Sequence, residues 1–66
     1  MKKLYIALLG KSFDKELVEQ HRIAYVVADS EKEARVFAKK KWKTSGVHID
    51  GIKTLEKVDG YKIVLK

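Results

Sequence analysis

Four residues of this chain have the types and spacing for chemistry: Glu19, His21, His48 and Asp50. They come as two alternating pairs, Glu19 with His21 and His48 with Asp50. Residues two apart in an extended segment point to the same side, so each pair shows one imidazole and one carboxylate to a common face. Imidazole nitrogen with carboxylate oxygen suits a divalent metal, and the same groups can move protons as general acid and base. The competing reading is a set of polar strand ends that bond to backbone or face water. The pattern assigns no metal, and no cofactor is expected. The pairs can meet only if the two strand starts lie at the same end of one sheet.

A second candidate group is Lys39, Lys40, Lys41 and Lys43, with Trp42 among them. Basic side chains interleaved with an aromatic ring are what a binder of single-stranded nucleic acid presents. Against this, lysines near a helix C-terminus are favoured by the helix dipole, and Trp42 falls on the apolar stripe of that helix. Sites that read bases lean on arginine, and Arg22 and Arg35 are the only arginines here. Tyr5, Tyr25 and Tyr61 could stack on bases, but most of them are expected in the core. The net charge of +6 and the pI near 9.7 therefore keep a low-specificity nucleic-acid binder as an alternative.

Other chemistries lack residues. Gly10-Lys11-Ser12 follows a strand as the end of a phosphate-binding loop does, but the position five residues before Gly10 is Tyr5, not glycine. The chain has no cysteine, so thiol catalysis, disulfides and Cys-based metal sites are excluded. No serine–histidine–acid pattern can be assembled, and nucleophilic catalysis has no nominated residue. The enzyme reading that survives is a metal-dependent or acid–base enzyme using His21, His48, Asp50 and Glu19.

The elements that must position these groups follow from periodicity. Asp29–Lys43 is the one long helix expected. Ser30 and Glu33 make a capping box, in which the hydroxyl accepts from the Glu33 amide and the carboxylate reaches back to the Ser30 amide. Asp29, Glu31 and Glu33 suit the positive end of the dipole, and Lys39, Lys40, Lys41 and Lys43 suit the other. Ala34, Phe37, Ala38 and Trp42 recur at helical period and mark the buried stripe. Thr44-Ser45-Gly46 stops the helix, with Gly46 free to turn left-handed.

Strands are expected at Lys3–Leu9, His21–Ala28, Val47–Leu55 and Tyr61–Leu65. The third should be broken by a bulge at Asp50-Gly51, and Asp59-Gly60 is a hairpin turn. The Gly10–Gln20 connection has enough apolar residues for one turn of helix, capped by Ser12 or Asp14. The fold class is α+β: a single domain, 1–66, with order β-β-α-β-β. Its four-stranded, mainly antiparallel sheet runs 2-1-3-4, and a right-handed crossover lays the helix on one face.

The first two strands are apolar on both faces, yet one helix covers only one. A chain of 66 residues sits near the lower limit for folding alone. The face without the helix is therefore expected to pair with a second copy, making a homodimer. The opening MKKLYIALLGKS has the charges of a leader, but its apolar run is short and no cleavage site follows, so it reads as a strand. Nothing approaches the roughly 20 apolar residues of a membrane span. The expected setting is the cytoplasm.

Several stretches in order carry a resemblance: KLYIALLG, Val18-Glu19-Gln20-His21, VVADS with the following EA, Trp42, His48-Ile49-Asp50, and Val58-Asp59-Gly60-Tyr61. Together they resemble the small bacterial domain of unknown function numbered 1543. The charged Gly10–Glu19 connection departs from that family's glycine- and alanine-rich one. The resemblance implies a soluble bacterial protein, with one or two copies of the domain per chain. It brings no activity or site residues. The leading reading is a homodimeric interaction or ligand-binding module without catalytic activity.

Overall fold

The computed structural model describes residues 1–12 and 18–66. Its elements are β1 (Lys3–Lys11), β2 (Gln20–Ala28), α1 (Glu31–Lys41), β3 (His48–Thr54), β4 (Lys57–Val58) and β5 (Tyr61–Lys62). This is the α+β class expected. The helical turn anticipated in the Gly10–Gln20 connection falls largely on residues 13–17, outside the described residues.

The helix starts where its cap residues say it should. Ser30 is extended (φ −147°), and its Oγ accepts from the Glu33 amide at 3.2 Å. The Glu33 carboxylate reaches back to the Asp29 amide at 3.3 Å, one residue beyond the Ser30 amide expected. Glu31 and Glu33 occupy the first turn and Lys39, Lys40 and Lys41 the last, in line with the dipole. Arg35 pairs with Glu31 one turn earlier, at 3.2 Å. The helix ends at Lys41, two residues before Lys43, because Trp42 turns extended (φ −101°, ψ 103°) and its indole enters the core. Gly46 takes the left-handed φ of 76°, but in the loop five residues past the last helical one, so it shapes that loop rather than stopping the helix as expected. Phe37, expected on the buried stripe, remains 38% exposed. Ala34 and Ala38 are the buried residues of the helix.

The main sheet has the order β2-β1-β3, and both pairings are antiparallel. The most apolar strand is central, as expected. Tyr5, Ala7 and Leu9 of β1 point toward α1 with Ala24, Val26 and Ala28 of β2. With Ala34, Ala38 and Trp42 they make the core, and Val47, Ile49 and Ile52 pack at its margin. Arg22 closes this layer, its guanidinium 4.6 Å from the Trp42 ring centre.

The fourth strand does not join this sheet, which corrects the expected order 2-1-3-4. Tyr61 and Lys62 pair instead with Val58 and Lys57 in a separate two-stranded ladder. The turn itself forces this. Asp59 (φ 53°) and Gly60 (φ 84°) form a two-residue turn, and such a turn pairs the residues directly flanking it. The partners of Tyr61 and Lys62 are thus residues 57–58 rather than β3. The Ile63 amide donates to the Glu56 carbonyl at 2.8 Å and continues the ladder. The arm so formed is tied to the sheet where the Leu55 amide donates to the Leu4 carbonyl at 2.8 Å. The overall extents are 42 × 24 × 15 Å and the radius of gyration is 13.4 Å, against about 11 Å for a compact chain of this length. Among the described residues, no helix is long and apolar enough to cross a membrane.

Candidate metal and ligand site

The site begins with a missing side chain. Gly10 lies in the central strand, paired with His21 on one side and His48 on the other. Register therefore places both histidines on the same face as Gly10, the face without the helix. A Cβ at Gly10 would stand 2.6 Å from Asp50 Oδ2 and 2.7 Å from His48 Nε2. Its absence leaves the floor that those side chains occupy.

The bulge expected at Asp50-Gly51 supplies the carboxylate. Pairing steps from Leu8↔Gly51 to Leu9↔Ile49, so Asp50 is the extra residue. The extra residue lets Ile52 and Ile49, three apart, both face the core, and it leaves Asp50 to swing over Gly10. Glu19 precedes β2 and shares the side of His21, as alternation predicts.

All four nominated side chains converge. His21 Nε2 lies 3.0 Å from Asp50 Oδ2 and 3.4 Å from Glu19 Oε2. His48 Nε2 lies 3.0 Å from Asp50 Oδ1 and 2.9 Å from Glu19 Oε1. Each imidazole thus faces one oxygen of each carboxylate, and each carboxylate bridges both imidazoles. Donor atoms of Glu19, His21 and Asp50 all lie within 4.8 Å of one another. The side chains are 30–47% exposed, so water reaches the group. Chemically the cluster can share protons between carboxylate and imidazole, or present nitrogen and oxygen to a cation.

The other candidates separate. Lys39, Lys40, Lys41 and Lys43 are exposed at the end of α1, on the helix side of the sheet. Lys39, Lys40 and Lys41 are consecutive in a helix and so fan around it at about 100° each rather than forming one row. Tyr5 is buried, but Tyr25 is half-exposed on the open face and Tyr61 is 78% exposed on the arm, contrary to the expectation that most would be core. Tyr25 alternates with Val26, and it is Val26 that takes the helix side. Gly10 and Lys11 are strand residues, which rules out a phosphate loop there. Lys11 instead donates to the Ser45 carbonyl and fastens the loop after α1.

Gly10 is the residue whose role sequence reasoning missed. The available signal was a glycine closing an otherwise apolar strand, which marks a close approach.

A three-stranded antiparallel sheet with one helix on one face and a two-stranded arm define a small α+β module. The chain belongs to the family described as Domain of Unknown Function (DUF1543), whose profile matches residues 16–65. No curated protein and no solved structure matches the chain.

Proposed function

We propose that this chain is a non-catalytic binding module that works as a homodimer, joined through the sheet face that α1 leaves open. The observation that carries this reading is the composition of that face: Leu8, Ile23, Tyr25 and Val27 are exposed together on β1 and β2. Single exposed apolar residues are ordinary, but a contiguous patch of them is a contact surface. A hollow of about 380 Å³ runs over Ile6, Leu8, Ile23 and Gly51 on the same side. The cysteine-free composition supports a reducing, cytoplasmic setting.

A second copy is the occupant that the arm favours. Two strands of nine residues and one of seven, at about 3.3 Å per residue and about 4.8 Å apart, give a face of roughly 400 Å². A standard interface takes about 800 Å² from each partner, so the sheet face alone is too small. The arm carries its own exposed apolar residues, Val58, Tyr61, Val64 and Leu65. Between it and the start of β1 lies a cleft of about 630 Å³, lined by Leu4, Leu55, Ile63, Val64 and Leu65 among others. One chain thus offers both a bare face and a projecting apolar arm. A two-fold pair, in which each copy supplies both, buries the two together.

Light scattering across a concentration series tests this. The wild-type chain should run as a dimer at micromolar concentration, and Ile23→Lys with Tyr25→Lys should run as a monomer with unchanged far-UV circular dichroism. A wild-type chain that stays monomeric through that range would overturn the reading.

A further inference from the structure

We propose that Glu19, His21 and Asp50 form a binding site for one divalent first-row transition metal ion per chain, with His48 as the residue that orients both carboxylates. This goes beyond the dimer reading and does not depend on it.

Three features of the backbone build the site. The β2-β1-β3 register puts His21 and His48 on either side of Gly10. The bulge moves Asp50 out of the regular ladder and over that glycine. The glycine itself leaves a hollow where any other residue would place carbon. A set of surface polar residues with no task requires none of these in combination.

The two spacings around His21 fit one ion, and all three donor atoms lie within 4.8 Å of one another. Bonds of about 2.0–2.2 Å place neighbouring donors roughly 2.9–3.5 Å apart, for octahedral and tetrahedral arrangements respectively. His21 Nε2 stands 3.0 Å and 3.4 Å from the oxygens it would share an ion with. The remaining oxygen of each carboxylate is held by His48 Nε2, at 2.9 Å and 3.0 Å. Ligating carboxylates are commonly fixed in this way by a hydrogen-bond donor on the far oxygen. One imidazole with two carboxylates, and no thiolate, selects among ions such as zinc, cobalt and manganese. The partial exposure of the cluster leaves room for water to complete the coordination shell. Binding requires the Nε2 lone pair of His21.

The test uses full-length, tag-free protein stripped with chelator. Zinc is titrated calorimetrically in the presence of excess magnesium, and cobalt is followed by its visible absorption. Four chains are compared with wild type: His21→Ala, His48→Ala, His48→Gln and the monomeric pair Ile23→Lys with Tyr25→Lys. Circular dichroism checks that each is folded. The expected result is one ion per chain in wild type and in the monomeric pair, with none in His21→Ala. His48→Ala should weaken binding by roughly 10–100-fold, and His48→Gln, which keeps a donor, should restore much of it. Failure of folded wild type to bind zinc or cobalt would overturn the metal site, as would binding untouched by His21→Ala. Binding seen in wild type but lost in the monomeric pair would also overturn it as a site of one chain. None of these failures bears on whether the wild-type chain dimerises, which light scattering decides separately.

Discussion

Leu8 and Leu9 are the same residue type, adjacent in the central strand, and they have opposite fates. Leu9 points toward the helix and is 1% exposed, while Leu8 points away and is 38% exposed. The contrast extends across the sheet. On the helix side, alanines at 7, 24, 28, 34 and 38 bring helix and sheet into close contact, and Tyr5, Val26 and Trp42 fill what remains. On the other side Ile23, Tyr25 and Val27 lie open. The polar ends differ in kind as well. The helix side closes with a cation over a ring, Arg22 on Trp42, and the open side ends in the histidine–carboxylate cluster around Gly10. One face holds the chain together, and the other is left uncovered by the helix.

That division implies a large difference in what the same substitution does. Leu9→Ala should cost about 2–5 kcal/mol, the usual loss for a buried leucine. A chain this short has a total stability of about 3–10 kcal/mol, so the variant should unfold at much lower urea or lack a cooperative transition altogether. A loss below about 1 kcal/mol in urea unfolding would show that the helix-side core is not where stability resides. Next in size is Ala38→Leu, where added volume has nowhere to go between helix and sheet; about 1–3 kcal/mol of destabilisation is expected from the same measurement.

Ser30→Ala should cost about 1 kcal/mol, because the Glu33 amide loses the acceptor that caps the helix. It sharpens the comparison by measuring helix formation apart from packing. Ser30→Asp, which keeps an acceptor and adds favourable charge, should recover most of the loss. Equal losses in both variants would mean that the cap contributes little.

Much of this arrangement is legible in the sequence. The capping box and the end charges each arise from local chemistry, and each appears within a residue or two of its expected place. The bulge was legible because Asp50-Gly51 interrupts an apolar alternation. The convergence of Glu19, His21, His48 and Asp50 followed from strand order, since 2-1-3 puts the starts of the second and third strands at one end. Two kinds of feature were hidden. Alternation sorts residues into faces but does not say which face the helix takes, so it leaves the side of Tyr25 open; helical period puts Phe37 on the buried stripe, yet it stays 38% exposed. Register was also hidden, and with it the role of Gly10. The pairing of Tyr61 with Val58, by contrast, is legible in the Asp59-Gly60 turn, because a two-residue turn pairs the residues that flank it.

Gly10→Ala separates the site from the fold. The atoms that a Cβ would meet are the ends of the Asp50 and His48 side chains, which can swing aside without moving the backbone. Alanine also narrows the unfolded ensemble, a gain of about 0.4–1 kcal/mol. Urea stability should therefore change by less than about 1 kcal/mol, while zinc affinity drops because the displaced carboxylate no longer faces His21. Unchanged zinc binding in this variant would show that the hollow over Gly10 is not part of the site.

The smallest expected effect is Leu8→Ala, and it tests the comparison most directly. In a separated chain the side chain already meets water, so its removal should alter urea stability by no more than about 0.5 kcal/mol. In a dimer joined through the open face it would sit in the contact, and its loss would weaken association. Wild-type stability should then rise with protein concentration, because only the folded chain associates. The Leu8→Ala curve should match wild type at high dilution and fall progressively below it as concentration increases. A Leu8→Ala loss that is the same at every concentration, and as large as that of Leu9→Ala, would mean that both faces are already covered within one chain. Two adjacent leucines, measured at two concentrations, thereby separate cohesion of the chain from cohesion of the pair.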